Sequence, residues 1–209
     1  MPELYPTLTQ YIDQLPSITP PTKRQVLLSG LVDYLVQKKQ EQSSVDLNFI
    51  CTHNSRRSHL GQVWAKTLAD HMGFPGLTTY SGGTEATACN PRTVQALRQA
   101  GFKVEPLTAG ENPHYHLTYG ESNTPMELWS KVYSDPHNPQ KGFGAIMTCD
   151  SANEACPIVF GAEARFPIIY QDPKAFDDTP QEEAAYAERC LQIASEMYWV
   201  FQQVLKNKL

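Results

Sequence analysis

Within FICTHNSRRS (residues 49–58) a cysteine, Cys51, ends a short apolar run, and after five intervening residues come Arg57 and Ser58. A thiol and a guanidinium so spaced suit nucleophilic attack on a tetrahedral oxyanion, provided the chain between them closes into a nest of amide donors. The N-terminus of a following helix would add unpaired N–H groups and partial positive charge, a field that stabilises thiolate. Arg57 offers a planar fork for two oxyanion oxygens. Ser58 is a donor for the sulfur, and Asn54 is a residue type that tolerates the left-handed backbone such a loop needs. The candidate oxyanion set is Thr52, His53, Asn54, Ser55, Arg56 and Arg57. The bland alternative is a buried strand-end cysteine with both arginines in solvent.

The remaining cysteines are Cys89, Cys149, Cys156 and Cys190, five in all with Cys51. An odd count in a chain without a recognisable secretory leader argues against a disulfide framework. Catalysis, redox exchange or metal binding is the better expectation for paired cysteines. Six residues separate Cys149 from Cys156 in MTCDSANEACP. A zinc site from them with His114 and His116 fits no compact finger spacing, so no metal is expected. Cys89 and Cys190 read as structural thiols, and His59 and His71 as solvated or capping residues. A net charge of −5 without a basic run excludes nucleic acid as a general partner. No apolar run is long enough to span a bilayer. A cytoplasmic location and no cofactor are expected.

These residues need elements to hold them. VDLNFIC (residues 45–51) reads as a strand, followed after a short loop by a helix carrying Leu60, Val63, Trp64, Leu68 and Met72 and stopped by Gly73. GLTTYSGG is a second strand, and NPRTVQALRQAGF a helix with Pro91 in its first turn. FGAIMTC is a third strand, FPIIYQDP a fourth ending near Asp172, and the chain is helical from Pro180. Alternating strands and helices imply one α/β domain, a four-stranded parallel sheet with helices on both faces. Residues 1–44 form a helical extension with Leu27, Leu31, Tyr34 and Leu35 on one face and a capping box from Thr22 to Gln25. In the domain at 45–209, residues 106–142 stand apart. They are broken by Pro106, Pro113, Pro125, Pro136 and Pro139 and carry Tyr115, Tyr119, Trp129 and Tyr133, so an ordered inserted lid or packed flap is expected.

FICTHNSRRS resembles the phosphate-binding loop of the low-molecular-weight phosphotyrosine phosphatases and of the thioredoxin-coupled arsenate reductases that share their fold. YSGGTEATACNPRTVQALRQAGF is similar to the second strand and helix of that superfamily. The likeness covers about residues 46–105 and 143–205. His53 stands where glycine is common, and Arg56 where the reductases often carry a second cysteine. The Cys149–Cys156 stretch is similar to the reductases, and implies a thiol relay. Cys51 would attack arsenate, Cys149 would attack the Cys51 sulfur and release arsenite, and Cys156 would draw the disulfide outward for thioredoxin. The resemblance assigns the general acid to Asp172, before Pro173. Asp135 is a second Asp-Pro whose expected role is a turn, and Asp177 and Asp178 are weaker choices. Lys174 and Ala175 follow where the phosphatases carry aromatics. Arsenate reduction is thus the leading expectation, phosphomonoester hydrolysis through a phosphocysteine at Cys51 the alternative, and a non-catalytic oxyanion- or phosphopeptide-binding module a third.

Overall fold

The computed structural model describes residues 3–155 and 158–207. Strand β1 (Val45–Cys51) runs parallel to β2 (Leu77–Gly83) on one side and to β6 (Phe143–Met147) on the other, with β7 (Ala162–Pro167) at the far edge. The order is therefore β2-β1-β6-β7, all parallel. Helices are α1 (Pro6–Asp13), α2 (Thr22–Gln40), α3 (Arg57–Met72), α4 (Pro91–Gln99), α5 (Asp150–Ala155) and α6 (Glu182–Lys206). Side chains alternate between the two faces of the sheet. Leu47, Phe49 and Ile146 join the larger core under α2, α3 and α6, whereas Ile50, Cys51, Ala145, Met147 and Cys149 form a smaller cluster with Ala152 of α5. A Cβ on Gly61 of α3 would lie 2.3 Å from the Phe49 ring, so this glycine sets how closely the helix lies on β1.

β1 and α3 arise where the sequence places them. Strands buried on both faces read as continuous apolar runs, and α3, none of whose residues is exposed, stops at Gly73, whose φ of 76° is the left-handed helix terminator. Three expectations are corrected. β6 ends at Met147, two residues before Cys149, which instead precedes α5. The fourth strand is Ala162–Pro167, earlier than the apolar run at Phe166–Tyr170 suggested. As an edge strand it is only half-buried and needs no such run; Ile168 and Tyr170 are buried in the loop beyond it. No Thr22 cap bond forms, because Thr22 is already helical and Pro21 is the N-cap. The buried face of α2 is Leu28, Leu31, Val32 and Leu35, with Leu27 one position off it.

The N-terminal helices share the main core, to which Leu8, Ile12, Leu28 and Leu35 contribute. A second sheet, antiparallel, joins β3 (Lys103–Pro106), just before the proline-broken region, to β4 (Tyr115–Thr118) and β5 (Met126–Leu128) within it. Val104, Leu117 and Leu128 of this sheet, with Tyr119 just after β4, enter the same core. Among the described residues no helix is long and apolar enough to cross a membrane.

Candidate active site

Chain connections leave β1 toward β2 on one side and β6 toward β7 on the other. The crevice beyond the carboxyl ends of β1 and β6 is therefore the switch point at which open parallel sheets bind ligands. Cys51 ends β1 there, and Cys149 follows β6. Between Cys51 and α3 the loop is held from outside by its carbonyls. Cys51 O accepts from Thr84 N at 3.1 Å, Thr52 O from Glu85 N at 2.9 Å, His53 O from Ser130 Oγ at 2.8 Å, and Ser55 O from Asn90 N at 2.9 Å. With the carbonyls so engaged, the edge left for a ligand is the amide edge. Asn54 takes φ 45°, the left-handed conformation expected of it.

The loop also sets the proton order at the nucleophile. Asn54 Oδ1 accepts from Lys131 N at 3.0 Å, which fixes the amide so that Nδ2 donates to Ser58 Oγ at 2.9 Å. Ser58 Oγ lies 3.1 Å from Cys51 Sγ. Having accepted from Asn54, it has its single proton free to donate to the sulfur. Cys51, Asn54 and Ser58 are all buried.

Arg57 donates from Nη1 to Tyr170 O at 2.8 Å and from Nη2 to Asp172 Oδ2 at 2.7 Å. Its Nε is buried and finds no partner among the described residues, which leaves that donor for an anion. Asp172 caps the short helical turn Pro173–Phe176 by accepting from Lys174 N at 3.1 Å. Cys149 is buried, receives Ala152 N–H at 3.4 Å, and lies 3.4 Å from the hydroxyl of Thr52, the residue after Cys51. Cys156 lies outside the described residues.

The sequence-predicted residues thus separate into groups. Cys51, Asn54, Arg57, Ser58, Asp172 and Cys149 are joined by contacts at one crevice. The His53 side chain turns to Glu85, with Nε2 at 2.8 Å from Oε1. Arg56 turns its side chain to Tyr186 and Asp177. Asp135 serves a turn, accepting from His137 N at 2.9 Å. His114 and His116 sit on β4 in the other sheet, where His114 pairs with Glu127 and stacks on Trp129. Cys89 and Cys190 are buried, and burial pushes their thiols up to about 12 and about 11.

His59 corrects an expectation. It is fully buried in the first turn of α3, with Nδ1 3.2 Å from Ser81 Oγ. Burial, and next the Lys131 charge, push its pKa down to about 3, so it is neutral. No periodicity announces this, since a histidine beside Ser58 reads as solvated until β2 is laid against it. Sequence reasoning also missed Arg24 and Tyr186, because their partners are distant in the chain, and Lys131, because its burial shows only once the fold is formed. Lys131 Nζ lies 3.9 Å from the Trp129 ring centre, and burial lowers its pKa to about 8. Arg24 of α2 forks onto Glu196 of α6 at 2.9 and 2.6 Å and donates to Ile169 O at 2.9 Å, tying the extension to the loop that carries Asp172. Gly83 is required by close approach: a Cβ there would lie 2.2 Å from Glu85 O and 2.6 Å from Thr52 O.

Comparison with known proteins bears on the family and the fold. Residues 46–117 match the low molecular weight phosphotyrosine protein phosphatase family. An arsenate reductase of Bacillus subtilis (strain 168) is 37% identical over 142 residues, 68% of this chain and 83% of that protein. Another, from Bacillus licheniformis, is 27% identical over 147 residues, covering 70% and 87%. Among solved structures, an arginine phosphatase with a phosphorylated active-site serine superimposes with TM-score 0.53 at 13% identity over 78% of this chain and 98% of that one. A low molecular weight phosphotyrosine phosphatase from Vibrio cholerae gives 0.51 at 12% identity, also covering 78% and 98%. At these identities the structures speak for the fold alone.

Proposed function

Because the chain belongs to the low-molecular-weight phosphotyrosine protein phosphatase superfamily, together with its arsenate reductase relatives, we propose that it is an arsenate reductase working through Cys51, Cys149 and Cys156. One observation carries the reading: a second buried thiol, Cys149, touches the loop residue next to the nucleophile, at 3.4 Å from Thr52 Oγ1. Hydrolysis needs no such thiol, whereas reduction needs two electrons from a pair of them.

In this reading the Cys51 thiolate attacks arsenate held by the loop amides and Arg57, and water leaves as the S–As bond forms. Asp172 protonates the departing oxygen. Cys149 thiolate then attacks Cys51 Sγ; the S–As bond breaks, its electron pair stays on arsenic, and arsenite departs. The Cys51–Cys149 disulfide is opened by Cys156, which regenerates the Cys51 thiol and leaves Cys149–Cys156 for thioredoxin to reduce. Among the described residues Cys51, Cys89, Cys149 and Cys190 are all free thiols, which fits a reducing cytoplasm.

Phosphomonoester hydrolysis is the second reading. It is favoured by the Asp172 carboxylate 2.7 Å from Arg57, and it shares the first step. The test is arsenate-dependent NADPH oxidation with thioredoxin and its reductase, on the wild type, Cys149→Ser and Cys156→Ser. Turnover lost in both variants supports the relay. No turnover, with Cys51-dependent hydrolysis of a phosphomonoester, selects the hydrolase. Oxyanion binding that persists without any turnover, unchanged by Cys51→Ala, would leave only a binding module.

A further inference from the structure

Arg56 has no part in the chemistry above, yet its side chain is slightly more buried than that of the adjacent Arg57, and its guanidinium faces Tyr186, Asp177 and Asp172. Nε donates to Tyr186 Oη at 2.9 Å. Tyr186 Oη spends its own proton on Asp177 Oδ1 at 2.8 Å, so it can only accept from Arg56. Arg56 Nη2 lies 3.7 Å from Asp177 Oδ2, and Nε lies 3.9 Å from Asp172 Oδ1. Asp172 and Asp177 stand at the two ends of the turn Pro173–Phe176. A single cation therefore faces both ends of the turn that presents Asp172.

Its own anchorage is firm at each end. The Arg56 carbonyl accepts the first hydrogen bond of α3, from Leu60 N at 3.1 Å, and Tyr186 is buried on α6. Asp177 is held from a third element by Arg92 of α4, at 3.7 Å. Arg57 grips the other carboxylate oxygen, Oδ2, but an oxyanion in the cradle draws on that same fork. Lys174 N–H and Arg56 then remain on Asp172 Oδ1.

Resting on the cysteine-dependent oxyanion chemistry proposed above, we propose that Arg56 is a positioning residue. Through Tyr186 and Asp177 it fixes the Asp172 turn against the nucleophile loop, and it is not a ligand of the oxyanion. It acts on leaving-group protonation and leaves anion affinity alone. The position would then be a specificity determinant, restricting the site to substrates whose leaving oxygen reaches a rigidly held acid.

The experiment uses the full chain and its Arg56→Gln, Arg56→Lys and Tyr186→Phe variants. Two readouts are taken: kcat/KM for p-nitrophenyl phosphate and phenyl phosphate, a good and a poor leaving group, and protection of Cys51 from iodoacetate by inorganic phosphate. A misplaced acid is felt most where the leaving group needs its proton. We expect Arg56→Gln to lose about tenfold on phenyl phosphate and under about threefold on the nitrophenyl ester, with phosphate protection within about twofold of wild type. Tyr186→Phe, which removes one hydroxyl from a packed side chain, should move the two esters apart in the same direction. Arg56→Lys keeps the charge without the fork and should fall between wild type and Arg56→Gln. Equal losses on both esters, or none, would overturn the proposal. So would phosphate protection weakened about tenfold, which would make Arg56 an oxyanion ligand. A wild type that is protected by phosphate yet hydrolyses neither ester would overturn the proposal, and arsenate-dependent NADPH oxidation by the same protein would show that the chemistry it rests on still stands.

Discussion

Neutral His59 under the nucleophile loop makes the fold sensitive to acid in a calculable way. Its folded pKa of about 3 lies below its ordinary value of 6.5. The unfolded chain therefore binds the proton that the folded chain refuses, and the stabilising term, fully present above 6.5, is lost as pH falls. At pH 5 the group is still neutral when folded and almost wholly charged when unfolded. The loss relative to pH 8 is about 2 kcal/mol, set by the unfolded titration alone. Urea unfolding of wild type and His59→Gln at both pH values isolates it. Glutamine retains a hydrogen-bonding partner for Ser81 but has nothing to titrate. The variant should lose about 2 kcal/mol less than wild type between pH 8 and pH 5. Equal losses in the two proteins would refute the claim that His59 is held neutral.

Other expectations follow from the same contacts. Gly83→Ala forces a Cβ into the carbonyls of Glu85 and Thr52; displacing the loop by about 1 Å should lower turnover at least about 100-fold, read as kcat/KM beside an unchanged circular dichroism spectrum. Arg24→Met leaves the Glu196 carboxylate, 3% exposed, without its fork, and should lower unfolding free energy by about 3 kcal/mol in a denaturant titration. Burial holds the Cys89 and Cys190 thiols near 12 and 11. In native protein at pH 7, peptide mapping after iodoacetamide should find both alkylated about 100-fold more slowly than an ordinary cysteine.

Much of the site could be read directly because its parts are contiguous. β1 is a buried parallel strand whose apolar run ends at the nucleophile, and the loop and α3 follow without interruption. Asn54 was legible by type, since few residues accept its backbone conformation. The antiparallel sheet was not legible, because β3, β4 and β5 are three or four residues long and prolines mask them. The edge strand β7 was misplaced because exposure frees it from the apolar pattern that marks β1. Burial of His59, the turn of Arg56 away from the cradle and the Arg24–Glu196 fork depend on partners 22, 130 and 172 residues away. Local pattern carries no trace of such pairings.

The central claim is that two electrons pass from Cys51 and Cys149 to arsenic. Its most direct test is a single turnover of Cys156→Ser with arsenate and no reductant, followed by arsenite quantification and disulfide mapping. We expect about one equivalent of arsenite per chain and a Cys51–Cys149 disulfide, trapped because the third thiol is missing. Absence of arsenite, with Cys51 and Cys149 both recovered as free thiols, would contradict the reductase reading.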